Sequence, residues 1–362
     1  MAQADRNKSI VPYLRPLSWL YGLVVGIRNA FFDSGILKSR KFNIPVIVVG
    51  NLSAGGTGKT PFTEYLISIL RDDFQFAVLS RGYKRKTSGF RLVDVQSTHF
   101  EAGDEPLQMK KKYSDVTIAV DRDRVHGIQT LLEQDPQPEV VILDDAYQHR
   151  YVKPGLSILL MDYNHPYYHD YYLPSGRLRE HFNEKKRAHL VVVTKCPPNL
   201  KPIERKLISN ELRLYAYQKL YFSHIEYGAL HPVFSSSAST LSGSDLKEYK
   251  YHILLVTGIA APGPLKQYLG RLTPHVEELR FPDHHRYSLK DVYRILKHFE
   301  RIEKPEKVII TTEKDAIRLQ KFHNIAHQTQ DSWYCIPIKT GFGKKPGKDL
   351  RNQIVEYVEQ NK

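Results

Sequence analysis

The stretch Val49-Gly-Asn-Leu-Ser-Ala-Gly-Gly-Thr-Gly-Lys-Thr-Pro61 decides the fold. It follows a β-branched apolar run, Ile44–Val49, that reads as a buried strand, and it opens a helix expected from about Pro61 to Leu70. Strand, glycine-rich turn and helix in that order make an anion cradle, because backbone N–H groups curl round a phosphate and the helix dipole favours its charge. The expected phosphate contacts are Ser53, Ala54, Gly55, Gly56, Thr57, Gly58, Lys59 and Thr60. Lys59 would reach the β- and γ-phosphates, and the Thr60 hydroxyl would bind Mg²⁺. Ser53 stands where such loops usually carry their first glycine. Pro61 suits a first helical turn, where no N–H is needed.

Working outward, Val140-Val-Ile-Leu-Asp144-Asp145 is an apolar strand that ends in two carboxylates, as a metal-holding strand does in phosphate-loop proteins. Phe76–Ser80, Val116–Val120, Ser157–Met161 and Leu190–Thr194 read as further buried strands. Their spacing implies a parallel sheet covered on both faces. A serine-rich, turn-prone stretch, Phe234–Gly243, marks a change of texture. A second α/β set follows, with strands Ile253–Thr257, Val276–Arg280 and Lys307–Thr311 and helices near Pro264–Leu272, Leu289–Ile302 and Asp315–Lys321. Val355–Val358 reads as a short closing helix. The expected fold is α/β: a P-loop NTPase-type parallel-sheet domain, a second, smaller α/β domain and an N-terminal amphipathic helix. The expected boundaries are 1–40 for the helical segment, 41–225 for the phosphate-loop domain, 226–248 for a hairpin or linker, and 249–362 for the smaller domain.

The chain has 362 residues, a formal charge of +14, and hydrophobic and charged fractions of 41% and 25%. A folded protein with anionic partners fits these values. No RNA or DNA motif accompanies the charge, so nucleic acid is not an expected partner. Two cysteines, Cys196 and Cys335, are too few and too far apart for a disulfide framework and fit a reducing cytoplasm. Met1–Ile10 lacks the apolar core of a signal peptide. No uncharged apolar stretch reaches the roughly 18 residues of a spanning helix. Val11–Leu37 is nonetheless rich in apolar and aromatic residues and is flanked by Lys8, Arg15, Arg28, Lys38, Arg40 and Lys41. Two readings stay open for it: a helix packed on the core, or one lying in a lipid headgroup layer.

A phosphate loop alone does not separate kinases from ATPases or GTPases. Ala54 argues against the membrane-associated ATPases that carry lysine there. Thr194-Lys195-Cys196 lies where GTPases place a base-reading lysine, but the accompanying asparagine and aspartate are missing. Other segments decide. The loop, Leu79-Ser-Arg-Gly-Tyr83, Gly103-Asp-Glu-Pro106, Asp144-Asp-Ala-Tyr-Gln-His149, Leu173-Pro-Ser-Gly-Arg-Leu-Arg-Glu180, Thr257-Gly-Ile-Ala260, Phe281-Pro-Asp-His284 and Thr312-Glu-Lys-Asp315 occur in series over residues 44–315. Together they resemble the tetraacyldisaccharide 4′-kinases of lipid A biosynthesis. Ala146-Tyr147 and Arg177 depart from that family's usual Gly-Phe and proline.

The resemblance implies a peripheral enzyme on the cytoplasmic face of the inner membrane, near anionic lipid. It would move the γ-phosphate of ATP, with Mg²⁺, to the 4′-hydroxyl of a tetraacylated glucosamine disaccharide 1-phosphate. Asp144, Asp145 and Thr60 would hold the metal, with Glu105 as a further contact. Asp104 would be the base, working with His284 across an interdomain cleft, and His285 is the fallback for that pair. Read without the resemblance, Asp104 is a helix N-cap and His284 a surface loop residue. Arg81, Arg122, Arg177 and Arg179 are candidates for the phosphates of nucleotide or lipid. Lys314 and Asp315 would support the cleft, and the tyrosine-rich Tyr163–Tyr172 would stack on sugar, meet the membrane or pack on the fold. The alternative is a membrane-associated phosphate-loop ATPase that couples hydrolysis to partner binding.

Overall fold

The computed structural model describes residues 11–235, 237–324 and 327–362; the opening Met1–Ile10 and its Lys8 lie outside the described residues. The chain divides into two compact units. One runs to Ile225 and resumes over Thr340–Lys362, and the other is Glu226–Lys339.

The first unit contains helix α1 (Arg15–Asp33), strand β1 (Val46–Asn51), α2 (Lys59–Leu70), β2 (Phe76–Ser80), β3 (Arg91–Leu92), α3 (His99–Ala102), α4 (Asp104–Lys112), β4 (Thr117–Val120), α5 (Arg124–Leu132), β5 (Val140–Asp144), β6 (Leu156–Asp162), β7 (Leu190–Thr194), α6 (Pro202–Leu212) and β8 (Lys219–Tyr227). The second adds β9 (His231–Pro232), α7 (Gly243–Glu248), β10 (His252–Thr257), α8 (Gly263–Gly270), β11 (Val276–Arg280), α9 (Leu289–Glu300), β12 (Lys307–Thr312), α10 (Glu313–Leu319) and β13 (Trp333–Ile336). Strand β14 (Ile338–Phe342) and helix α11 (Lys344–Asn361) follow.

The first sheet has nine strands in the order β14-β8-β7-β6-β1-β5-β2-β4-β3. From β8 to β4 every pairing is parallel, and β3 alone runs antiparallel to β4. Strand β1 is buried at all six positions between β5 and β6, which explains its β-branched composition. It begins two residues later than its apolar run and continues through Gly50 and Asn51, which still pair with Leu159 and Leu160. In this order the carboxyl ends of β1, β2, β5, β6 and β7 share one edge, where ligands of open α/β sheets bind.

The second sheet has the order β11-β10-β12-β13-β9, parallel except for β9. Alternate residues of its central strands feed two apolar clusters. Leu254, Val256 and Ile309 enter one, and Ile253, Leu255, Val308 and Ile310 the other. Both faces are therefore covered, as the uninterrupted apolar runs require.

Three expectations change. Residues 226–248 are not a separate linker, because β9 pairs with β13 and Leu230 bridges Leu241 inside the second unit. The second unit does not reach residue 362, because β14 lies beside β8 at the edge of the first sheet. Helix α11 is also far longer than Val355–Val358. Pro346 and Gly347 resemble a turn, but they fall in the first helical turn, where a missing N–H costs nothing. Its Leu350, Ile354 and Val358 are buried, and Tyr221 donates its hydroxyl to Asp349. Truncating Ile354 to alanine should cost about 2–5 kcal/mol, read as a lower denaturant midpoint of the first unit. A loss below about 1 kcal/mol would contradict the burial.

Helix α1 is turned inside out relative to a core helix. Its buried residues are Ser18, Asn29 and Phe32, whereas Leu17, Trp19, Leu20, Leu23, Val24 and Ile27 are exposed. Trp19 is 74% exposed. Polar contacts attach the inner face: Asn29 donates to Glu180 at 3.2 Å and Arg28 to the Gln148 carbonyl at 2.9 Å. The tyrosine-rich segment packs beside it, with the Tyr172 ring 6.0 Å from that of Tyr21 and Arg15 over Tyr171. A cavity of about 310 Å³ lined by Arg15, Trp19, Tyr168, Tyr171 and Phe182 opens between them.

Candidate active site

The phosphate loop leaves β1 at Asn51 and enters α2 at Lys59. Gly55 and Gly58 have φ of 110° and 79°, values that a side chain strongly disfavours, so the glycines follow from the turn itself. Asn51 holds the loop from inside, donating to the Ser53 carbonyl at 2.6 Å and to the Thr57 hydroxyl at 2.8 Å. The segment before Glu180 braces it from outside. Ala54 N–H donates to the Arg177 carbonyl, Arg179 N–H to the Leu52 carbonyl, and Ser53 bridges Leu178. The substituted Ser53 is thereby buried in a backbone bridge that needs no glycine.

At the end of β5, Asp144 is fully enclosed. Thr63 donates to one oxygen at 3.0 Å and Ser80 to the other at 3.3 Å. Burial, then the charges of Glu105 and Asp145, push its carboxyl up to about 7. Asp145 is half-open with φ 48°, a strained conformation for a residue with a side chain. Its Oδ1 lies 3.5 Å from Lys59 Nζ and 3.4 Å from Arg179. Lys59 also sits 3.5 Å from Asn51 Oδ1. The charges of Glu105 and Asp145 thus act against a charge on Asp144, a repulsion that a divalent cation relieves. Asp145, just after β5, and Thr60, in the first turn of α2, carry the oxygen donors that such a cation takes. Among the described residues no group of three or more histidines, cysteines or carboxylates converges as a ready-made metal site.

Asp104 is the first residue of α4; the N-cap position belongs to Gly103. Gly103 has φ 92°, and a Cβ there would lie 3.0 Å from the Tyr83 carbonyl. The Leu79–Tyr83 and Gly103–Pro106 segments are packed together for this reason. Helix α4 is fixed to α2 by Gln108 and Lys112, both on Glu64. Arg81 and Arg122 are exposed beyond β2 and β4, and Arg81 is near enough for its charge to act on Arg124.

Arg124 was not singled out from the sequence. It is buried, donates to the carbonyls of Asp121 and Arg122, and lies 3.5 Å from that of Asp144. Burial pushes it down to about 10. The run Asp121-Arg122-Asp123-Arg124 after a buried strand was the available signal, but periodicity cannot say which arginine turns inward. Thr63 and Ser80 were missed too, since the carboxylate they bind lies on another strand.

In the second unit, His284 has φ 58°, and its N–H donates to the Gly258 carbonyl at 3.0 Å. Lys314 Nζ and Arg318 each come within 3.2 Å of one of its ring nitrogens. Asp315, fully buried, accepts from Gly258 N–H at 2.9 Å and from Thr312 at 2.8 Å and lies 3.5 Å from Arg318. Three sequence motifs therefore meet at His284, one through its backbone N–H and one through its ring. The neighbouring His285 is taken up by Asp291 at 3.0 Å and stacks on Phe281.

The family model described as LpxK, tetraacyldisaccharide-1-P 4′-kinase, matches residues 10–358. The chain belongs to this family. A tetraacyldisaccharide 4′-kinase of Bacteroides thetaiotaomicron is 48% identical over 356 residues, 96% of this chain and 93% of the relative. That of Flavobacterium johnsoniae is 43% identical, covering 96% and 97%. The crystal structure of LpxK from Aquifex aeolicus in complex with ATP has a TM-score of 0.73 and 30% identity, covering 96% of this chain and 98% of that one. The family carries the kinase expectation over the ATPase alternative.

His149, in the Asp144–His149 motif of this family, is held neutral: burial, then Arg124, lower its imidazole to about 4 from 6.5. Folding then excludes a proton that the unfolded chain accepts. This contribution is intact above pH 6.5 and is lost as pH falls through about 4. His149→Asn should flatten that acid-side loss, measured by denaturation between pH 4 and 7. An unchanged slope would contradict it.

Proposed function

We propose how this lipid-sugar kinase divides its labour. Family membership makes the reaction an ATP-dependent phosphorylation of the 4′-hydroxyl of a tetraacylated glucosamine disaccharide 1-phosphate, a step of lipid A biosynthesis. The observation that carries the site reading is the phosphate loop, its lysine 3.5 Å from the half-open Asp145 just after β5.

The loop N–H groups and the start of α2 bind the nucleotide phosphates. Lys59 exchanges Asp145 for the β- and γ-phosphates. Mg²⁺, where bound with ATP, supplies charge neutralisation of the transferred group. Asp145 and Thr60 are the residues that would hold it, and Asp144, pinned by Thr63 and Ser80, keeps the strand end in place; Glu105 adds negative potential. Arg179 and the exposed Arg81 supply cationic contacts for phosphate oxygens, and Arg122 and Arg177 are secondary candidates.

A sugar hydroxyl needs a base to give up its proton as it attacks. The family resemblance gives this role to Asp104, and its place at the start of a rigid, tethered helix supports the reading. His284 takes the supporting role. Its ring is the one gripped by Lys314 and Arg318, while that of His285 is engaged by Asp291.

No helix among the described residues is long and apolar enough to cross a membrane. The outward apolar face of α1, with arginines at its inner side and a tryptophan at its rim, supports attachment to a lipid surface on the cytoplasmic side of the inner membrane. The aromatic cavity beneath it offers apolar surface to acyl chains.

Lys59→Ala and Asp104→Ala should each lower turnover about 10²-fold or more, assayed with labelled ATP and the acylated disaccharide phosphate, with and without Mg²⁺. Wild-type-like turnover in Asp104→Ala would remove it from the base role. Charging the outer face of α1, as in Leu20→Glu with Leu23→Glu, should reduce binding to anionic vesicles while leaving thermal stability unchanged. Undiminished binding would sink the interfacial reading.

A further inference from the structure

Helix α10 carries Lys314 and Arg318 one turn apart, and the ring of His284 lies against both. Arg318 Nη2 is 3.2 Å from Nδ1, and Lys314 Nζ is 3.2 Å from Nε2. Guanidinium and ammonium groups only donate hydrogen bonds. A neutral imidazole has one nitrogen that accepts and one that carries a hydrogen. It can therefore accept from one of these two neighbours, and the neighbour that wins fixes the tautomer.

The surroundings favour the arginine. Arg318 is 5% exposed, and a second guanidinium nitrogen faces Asp315 Oδ1 at 3.5 Å. Asp315 is fully buried and is itself held by Gly258 N–H at 2.9 Å and the Thr312 hydroxyl at 2.8 Å. The packing around it is close: a Cβ on Gly258 would lie 2.9 Å from Asp315 Oδ1. Arg318 is thus anchored, and a guanidinium does not give up its proton. Lys314 is only half-buried, and its flexible stem lets the ammonium turn to another acceptor. The same carboxylate also sets the backbone of His284. Asp315 accepts from Gly258 N–H, and the Gly258 carbonyl accepts from His284 N–H at 3.0 Å. Main chain and ring of His284 are both referred to one buried anion.

We propose that Arg318 is a positioning residue: anchored by Asp315, it donates to His284 Nδ1 and so confines the ring hydrogen to Nε2. This rests on the supporting role assigned to His284 above and goes further by naming the group that prepares it. A ring in this tautomer offers a donor to an anionic oxygen. That suits a group that steadies a carboxylate base, not one that takes up the hydroxyl proton itself.

Long-range proton–nitrogen NMR spectra of the full chain, labelled in histidine nitrogen, report which ring nitrogen carries the hydrogen. They are recorded at about pH 8, above the ordinary histidine value of about 6.5. The His284 signals are those missing from His284→Ala. The wild type should show hydrogen on Nε2 and a bare Nδ1. Hydrogen on Nδ1, or on both nitrogens, would overturn the proposal with no variant at the arginine needed. Arg318→Met keeps an apolar stem and removes the donors. It should give mixed tautomers and lower kcat about tenfold or more, with KM for ATP changed less than about twofold. Arg318→Lys, which restores a donor-only head, should recover the Nε2 form and part of kcat. Lys314→Ala should leave the tautomer as in the wild type, and a change there would give the role to the lysine instead. A pure Nε2 tautomer in Arg318→Met would overturn the assignment whether or not kcat falls, and so would mixed tautomers with unchanged kcat. Wild-type turnover in His284→Ala would instead defeat the supporting role of His284, whatever the spectra of the arginine variants show.

Discussion

A carboxylate without access to water, Asp144, organises the first unit. Its two oxygens are taken by Thr63 on α2 and Ser80 on β2, and its own strand carries it to the sheet edge. Helix, neighbouring strand and central strand are thereby registered against each other at one point, with the phosphate loop between them. Burial and the repulsion of Glu105 and Asp145 make that point electrostatically uncomfortable. Such tension is tolerated where an incoming cation can relieve it, and it marks functional sites more often than ordinary cores. The rest of the loop geometry, from the Asn51 contacts to the Arg177 and Leu178 brace, keeps the backbone open for an anion beside it.

Much of this was legible in the sequence. Strands buried on both faces announce themselves as apolar runs, and β2 and β7 lie where those runs do. The phosphate loop is local in sequence, so its residues could be named before any geometry. What escaped notice depends on partners far along the chain. Arg122 and Arg124 look alike in sequence, and only packing sends the second inward. Strand β8 mixes lysine, histidine and glutamate with aromatics because it is only partly covered, and this blurs its period. Helix α11 hides behind a proline and a glycine that a first turn accommodates.

Helix α1 illustrates a different limit. Its sequence is apolar over much of its circumference, and periodicity alone could not tell which side meets protein. The structure attaches it through Asn29, Arg28 and Ser18, polar groups that would be poor choices for a helix held only by core packing. Polar contacts of this kind fix orientation without using the apolar surface. The leucines and the tryptophan remain on the outside, a pattern that water does not favour and a lipid surface does.

The second unit interrupts the first between β8 and β14, yet its own two ends are stitched together: Gly228 N–H donates to the Pro337 carbonyl at 3.0 Å. Chain-closure entropy grows with the length of the segment to be closed. Once Glu226–Lys339 has folded, the remainder of the chain experiences it as a short hairpin instead of a long floppy excursion. The edge strand and α11, which are translated after that insert, can then dock on a sheet begun long before. Assembly of the catalytic sheet is thus contingent on a module that contributes no strand to its centre, and lesions confined to that module would be felt as incomplete closure elsewhere.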